Sequence, residues 1–513
     1  MDANTTVSSP STCLNSICNP DEIAGWNPSD TNRGSIEILW ACSVTIILCC
    51  WVCPLPNVPS LSDKWYHTLI DRFNLACIGL VGPDYLFGIA LGQFSSARRS
   101  VKLFQSLSRI PQGREWTLTH GFFADMGGFL LASPDYPPFP INAEQLHYLV
   151  HHGHVDFPSV TKADIKVLNK MDGLSKLITV WQVFWFTTTE LQRVSRGLPM
   201  TVFELTALSF SLTMLVTSVC WYAKPTVSRP ITLLTRDGRS VESIRAAARE
   251  TTHPHLPQTW YRTPLDFISP YRRFRLDVHW CYYEQLSYLL RLPLFSREIT
   301  SRPWDRLPSK AFLVIDRALL PLALVVLVAY SAAPLLAWNF YFPTEGERLA
   351  WRACGVYHAI FSMGLGMYYI VTAWKVQDKV PKMDEPPFPV KGVQRGKPGP
   401  SGGGNGGGDK SGGDKSGVDV EAVEVVGDKK WKGREKVRGR VQKVVSWLRS
   451  WRNISPDGDP DMTIGLRATV PPFIGTFVYM LCRVFFYVED FISIREQPMA
   501  VYITVNRFLP FMS

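Results

Sequence analysis

LLPLALVVLVAYSAAPLLAW, Leu319–Trp338, decides the fold class: twenty residues with no ionisable side chain other than Tyr330. A helix of about 20 apolar residues reaches across a bilayer's hydrocarbon core. In water the same run would need a globular core on every side. The full span is read as Ala318–Trp338, and five further runs repeat the signal less cleanly. Ile36–Cys53 ends at Pro54 and would be about 27 Å long at the α-helical rise. Leu174–Leu191 carries Lys176, Gln182 and Glu190. Val202–Tyr222 is apolar past Glu204, Ala353–Trp374 contains Gly364 and Gly366, and Phe473–Ile494 holds Arg483 near its middle. The expected fold class is therefore all-α, a polytopic transmembrane bundle of six spans.

Composition agrees. Over 513 residues the mean hydropathy is +0.01, which averages nearly charge-free runs with polar loops. The 17 Trp suit a protein with two water–lipid boundaries. The net charge of +10 points to basic loops against anionic lipid rather than to nucleic acid. Seven of the 11 cysteines (Cys42, Cys49, Cys50, Cys53, Cys220, Cys354 and Cys482) lie inside apolar runs, where a thiol behaves as a small hydrophobe. Residues 1–35 lack the basic start and early apolar core of a cleaved signal, so the first span is expected to act as signal anchor.

A seventh stretch, Phe73–Phe94, is interrupted at its centre by Gly79, Gly82, Pro83 and Asp84. Proline removes a backbone donor and a carboxylate is costly in lipid. Charge bias arbitrates. If the stretch crossed, the acidic N-terminal tail would share a side with residues 223–310 and 375–470, the most basic segments. If it lies on the surface or dips in and returns, residues 54–173, 223–310 and 375–470 share one face, as the positive-inside rule requires. The expected layout is an extracytosolic tail 1–35, a span 36–53, and a cytosolic region 54–173 with a re-entrant 73–94. Two spans follow in 174–222, then a cytosolic Arg-rich interfacial loop 223–310. Two more spans lie in 311–376, followed by a cytosolic segment 377–470 and a last span with its tail in 471–513. Within 377–470, residues 391–417 read as a flexible glycine-rich linker. Residues 429–452 read as a basic amphipathic helix on the anionic inner leaflet, with Val437, Val441, Val444, Val445, Leu448 and Trp451 on one face. A solvated charge run and a calmodulin-like target helix are the other readings of that stretch.

Several residues carry chemistry. Arg483 is costly at mid-span and needs a partner, for which Glu204, Glu190 and Asp84 stand available. Together they mark either a polar path through the bundle or structural ion pairs. His120-Gly-Phe-Phe-Ala-Asp125 has the spacing of a His–carboxylate dyad in membrane glycerolipid acyltransferases, where the imidazole takes a proton from a hydroxyl. His147, His151, His152 and His154 cluster, and His147/His151 have a zinc-compatible helical spacing, but no carboxylate or cysteine completes a set. The expectation is therefore no metal and no cofactor. Cys13 and Cys18 in the tail can pair in an oxidising lumen, and Asn4 begins a glycosylation sequon on the same side.

Long stretches resemble one group, a large family of fungal multi-pass integral membrane proteins without a characterised function. The first, GWNPSDTNRGSIEILWACSVTIILCCWVCPLPNVP (Gly25–Pro59), carries Arg33, Gly34, Trp40, Cys42, Cys49, Trp51, Asn57, Val58 and Pro59. The others are Trp116–Phe129, Ala143–Val150, Gln182 with Trp185 and Phe186, and LPMTVFELTALSF with Trp221, Lys224 and Pro225. In the closing segment Arg483, Glu489, Phe491, Ile492, Ser493, Arg495, Pro498, Tyr502, Val505 and Pro510 match. Phe511 stands where the family usually has His, and Asn506-Arg507 replaces Asn-Trp. The resemblance implies a multi-pass membrane protein and carries no activity with it. Three function classes follow for a plasma- or endomembrane protein with no nucleic-acid partner. The first is a non-catalytic scaffold, sensor or transport-like protein; the second is a lipid-modifying enzyme using His120 and Asp125; the third is a channel or secondary transporter.

Overall fold

The structure is a computed structural model that describes residues 22–28, 33–107, 114–168, 173–251, 253–254, 256–268, 275–291, 297–377, 451–455, 458–459 and 462–504. The Cys13/Cys18 pair, the Asn4 sequon, the linker 391–417 and residues 429–450 of the basic stretch lie outside the described residues.

The chain is mostly helical. After strand β1 (Ile23–Ala24) come α1 (Ser35–Val52), α2 (Trp65–Val81), α3 (Pro83–Gln105) and α4 (Leu118–Asp125). Strands β2 (Phe129–Ala132) and β3 (Phe139–Ile141) precede α5 (Ala143–His151), α6 (Lys162–Leu168), α7 (Gly173–Ser195) and α8 (Val202–Cys220). Then follow β4 (Ile231–Leu234), α9 (Val241–Thr251), α10 (Arg275–Leu289), α11 (Leu320–Leu336), α12 (Glu345–Gln377), α13 (Leu466–Ile492) and β5 (Gln497–Pro498). Among the described residues, four helical segments are long and apolar enough to cross a membrane: Ser35–Val52, Val202–Cys220, Arg317–Asn339 and Glu345–Val376. Helices α7 and α13 are long as well, but they carry Lys176, Glu190 and Arg193, and Arg483, Glu489 and Asp490.

Polarity is inverted relative to a water-soluble bundle. Trp40 and Ile47 on α1, Trp181 and Phe184 on α7, Ile360 on α12, and Phe477 and Val484 on α13 are exposed, whereas Glu190, Arg193, Glu204, His358, Arg483 and Asp490 are buried. Helix α1 packs on α2, α7 and α8, α8 on α3 and α11, and α12 on α11 and α13. At one end of this bundle the Ser35 and Tyr502 hydroxyls meet at 3.0 Å, and Arg193 donates to the Val501 and Ile503 carbonyls. At the other end the exit of α1 and the second half of α3 meet the strap of residues 304–316, which leads into α11. There Asn57 donates to the Pro308 carbonyl at 3.0 Å, and Arg99 reaches Asp316 at 3.0 Å.

Two expectations are corrected. The interrupted stretch is longer than Phe73–Phe94 and is two helices, α2 and α3, broken at Gly82 and together running from Trp65 to Gln105. Pro83 opens α3 because its missing N–H is one that the first helical turn leaves unpaired anyway. The fold is also not all-α. A three-stranded sheet of order β3-β2-β4 has β2 and β3 antiparallel and β2 and β4 parallel. FLLA and FPI are short and fully apolar runs, which periodicity does not separate from helix. This sheet, with α4, α5, α6 and α9, forms a second core around Phe104, Phe129, Phe139, Leu146 and Ile244. Stacking of Phe104 on Trp116, with centroids 3.9 Å apart, ties the foot of α3 into that core.

Candidate functional site

Helix α3 has a polar site at each end. At its start, the break at Gly82 cuts the helical hydrogen-bond ladder beside the middles of α12 and α13. The last carbonyls of α2 have no partner within their own helix. Arg483 Nε donates to Val81 O at 3.1 Å, and the Tyr487 hydroxyl donates to Leu80 O at 2.6 Å. Arg483 Nη2 in turn donates to the Tyr487 oxygen at 2.8 Å, and its guanidinium lies 5.7 Å from the Tyr330 ring centre. Asp84 sits in the first turn of α3, where the helix dipole favours an anion. Ser362 donates to one of its oxygens at 2.6 Å and Tyr479 to the other at 3.2 Å. The broken helix thus presents a negative end to a cation and a positive end to an anion.

Glu204 and Glu190 do not partner Arg483. Arg33 takes both, hydrogen-bonding to Glu204 and lying 3.8 Å from Glu190. Glu204 also completes a capping box, accepting from the Thr201 amide at 2.8 Å while its own amide donates to Thr201 Oγ1 at 3.1 Å. In the sequence Arg33 is the lone basic residue of an acidic N-terminal tail. Its place immediately before the first apolar run was the available signal.

At the foot of α3 lies a cavity of about 330 Å³. Its walls are the last turns of α3 (Gln93, Ser96, Arg99), the ends of α4 (Asp125) and α5 (Asn142, Gln145), the loop 256–266, Asp277 of α10 and the strap 304–314. The strap lies so close to α3 that a Cβ on Gly92 would stand 2.7 Å from the Leu313 carbonyl oxygen. One buried cation pins this end of the bundle. Lys224 Nζ donates to Leu55 O at 2.7 Å, to Gln93 Oε1 at 2.9 Å and to Asn57 Oδ1 at 3.1 Å. Burial pushes the Lys224 ammonium down to about 7, with Asp125 opposing the shift.

The guanidinium groups around the cavity are engaged with protein. Arg245 donates to the carbonyls of Pro264, Pro257 and Gln258 at 2.5, 2.7 and 3.2 Å. Arg99 donates to Val314 O at 2.8 Å as well as to Asp316, and Arg262 lies 5.0 Å from the Trp304 ring centre. Asp125 differs. Its Oδ1 accepts from the Ala143 amide at 3.0 Å, capping α5, while its buried Oδ2 has no hydrogen-bond partner, although Ser96 stands near enough to help hold the negative form. Burial pushes this carboxyl up to about 6, against the Ala143 amide.

His120 and Asp125 are not brought together. His120 Nδ1 accepts from the Thr117 amide at 3.1 Å in the capping box of α4, and Nε2 meets the Val160 carbonyl at 3.1 Å. The histidine cluster is partly stacked, His147 on His151 with centroids 5.9 Å apart and His152 on His154 at 6.0 Å. Among the described residues no group of three or more His, Cys, Asp or Glu is placed to hold a metal ion.

Fold and site together define a mostly helical protein with, among the described residues, four helices long and apolar enough to span a membrane, and a cavity lined by both polar and apolar groups at one end of its bundle. Residues 11–244, which contain α1 to α8 and β4, match the model of a family of unknown function (DUF8562). No curated protein and no solved structure matches the chain.

Proposed function

We propose that this chain is a six-span integral membrane protein that binds a small polar solute in the cavity at the foot of α3, as a non-catalytic sensor or transport-like protein. The cavity carries the reading. It has the size of a small-molecule site, and convergent polar groups line it where the membrane bundle meets the second core. The spans are α1, α7, α8, α11, α12 and α13, with α2 and α3 as a re-entrant hairpin. Two observations support counting α7 and α13: each turns an apolar face outward, and their buried charges meet partners inside the bundle. Broken helices are tolerated in a bilayer where protein surrounds them, and here Arg483 and Tyr487 satisfy the carbonyls freed at the break. The cavity end of the bundle lies in the cytosol in this reading, and residues 429–452 rest on anionic inner-leaflet lipid. The likeness to fungal multi-pass membrane proteins belongs to the same reading. A non-catalytic role is supported by His120, whose two ring nitrogens are committed to Thr117 and Val160 and so offer Asp125 no base.

The test uses the full chain in lipid nanodiscs and the small-molecule fraction of a cell extract. We expect the extract to raise the Tm of the wild type and not of Ala311→Trp, which fills the cavity. No rise in the wild type, or an equal rise in both, contradicts the reading.

A further inference from the structure

Resting on the reading of the cavity as a binding site, we infer that its ligand carries an ammonium group, held by Asp125, and a hydrogen-bond acceptor a few bonds away, held by the Trp304 indole N–H. Two buried, complementary atoms in the cavity wall carry the inference. Asp125 Oδ2 is an acceptor with only the Ser96 hydroxyl near it, and Trp304 Nε1 is a donor that makes no hydrogen bond within the protein. A buried polar atom left unpaired keeps its full desolvation penalty, so an unanswered donor and acceptor in one cavity wall call for an occupant that answers both.

Charge gives the same sign. Four carboxylates (Asp125, Glu144, Asp266 and Asp277) line the cavity against three guanidiniums. The guanidiniums of Arg245 and Arg99 are turned toward carbonyls and Asp316, and Arg262 lies over Trp304. An anionic ligand would therefore have to displace existing bonds, whereas an ammonium group finds an open carboxylate oxygen. Trp260, Tyr261 and Trp304 add aromatic faces, which attract cations through the ring quadrupole. Free amino acids or amino alcohols and the headgroup of an ethanolamine lipid share this chemistry.

The experiment is calorimetric titration of the full chain in phosphatidylcholine nanodiscs with glycine, ethanolamine, phosphoethanolamine, acetate, glucose and inorganic phosphate. We expect the three ammonium compounds to bind and the others not to. Asp125→Asn keeps the Oδ1 acceptor for Ala143 and so preserves the α5 cap. It should weaken ammonium binding at least tenfold, Trp304→Phe should weaken it severalfold, and Ala311→Trp should abolish it. Nanodiscs containing phosphatidylethanolamine separate the sources: loss of the titration there identifies the lipid headgroup, and an unchanged titration identifies the free solute. Binding of acetate, glucose or phosphate alone, lost in Ala311→Trp, overturns the ammonium assignment and leaves the cavity reading standing. So does ammonium binding that Asp125→Asn does not weaken. No binding by any compound, together with no extract effect on Tm, overturns both.

Discussion

Asp84 and Asp125 are both half-buried aspartates beside α3, one at its start and one packed against its foot, and they are treated in opposite ways. Asp84 has both oxygens answered, by Ser362 and Tyr479, at a helix N-terminus that itself favours an anion. Asp125 has one oxygen answered by Ala143 and the other turned to a cavity. Burial alone therefore does not mark function. An acid whose hydrogen bonds close within the protein holds structure together, and one whose set is left open has a place for something else.

The largest effect that would break this contrast is expected at the buried arginines. Arg483→Leu leaves the Val81 carbonyl without its donor and should destabilise the bundle by about 3–5 kcal/mol, the scale for losing two hydrogen bonds made by a charged group. Adding Glu204→Leu should not rescue it, because Glu204 belongs to Arg33. Arg33→Leu should cost a similar amount, and there Glu204→Gln should recover part of the loss. Chemical unfolding of the four variants in detergent checks the pattern, and rescue of Arg483→Leu by the Glu204 change would place the pair wrongly.

The aspartates themselves come next. Asp84→Ala removes two hydrogen bonds to a charged acceptor and should cost about 2–4 kcal/mol. Asp125→Asn should leave stability within about 0.5 kcal/mol of the wild type, since it keeps the α5 cap and removes a poorly solvated charge. Equal losses at both sites would erase the distinction drawn between them.

The smallest effects are in pH. Burial, reinforced by the His151 charge, pushes His147 down to about 4 from its ordinary 6.5. The unfolded chain thus binds more protons between those values, and the second core should lose stability as pH falls from about 6.5 toward 4. His147→Phe should flatten that slope in an acid titration of Tm. Ammonium binding should strengthen as pH rises through about 6, where Asp125 ionises, with Arg99, Glu144 and Lys224 the neighbouring charges that act on it or answer to it.

Apolar periodicity made the long helices legible, because a run such as Leu319–Trp338 admits few other readings. The break at Gly82 was legible too, since Pro83 and Asp84 are each costly inside an apolar helix. The three-stranded sheet was not, because β2 and β3 are four and three residues of unbroken apolar sequence. The cavity was legible only in part. Asp125 stood out, but through its spacing to His120, which pairs instead with Thr117 in the capping box of α4. Trp304, Gln93 and Arg99 converge on it from distant stretches of chain, and no local pattern announces such a meeting. Arg33 was hidden for the same reason: its partners lie at positions 190 and 204, on two later helices.

The most direct test is an experimental structure of the full chain in phosphatidylcholine nanodiscs with ethanolamine. Density for a small molecule is expected between Asp125 Oδ2 and the Trp304 indole, with Asp84 still bonded to Ser362 and Tyr479. A cavity left empty at saturating ethanolamine, with Asp125 Oδ2 paired to a protein group instead, would contradict it.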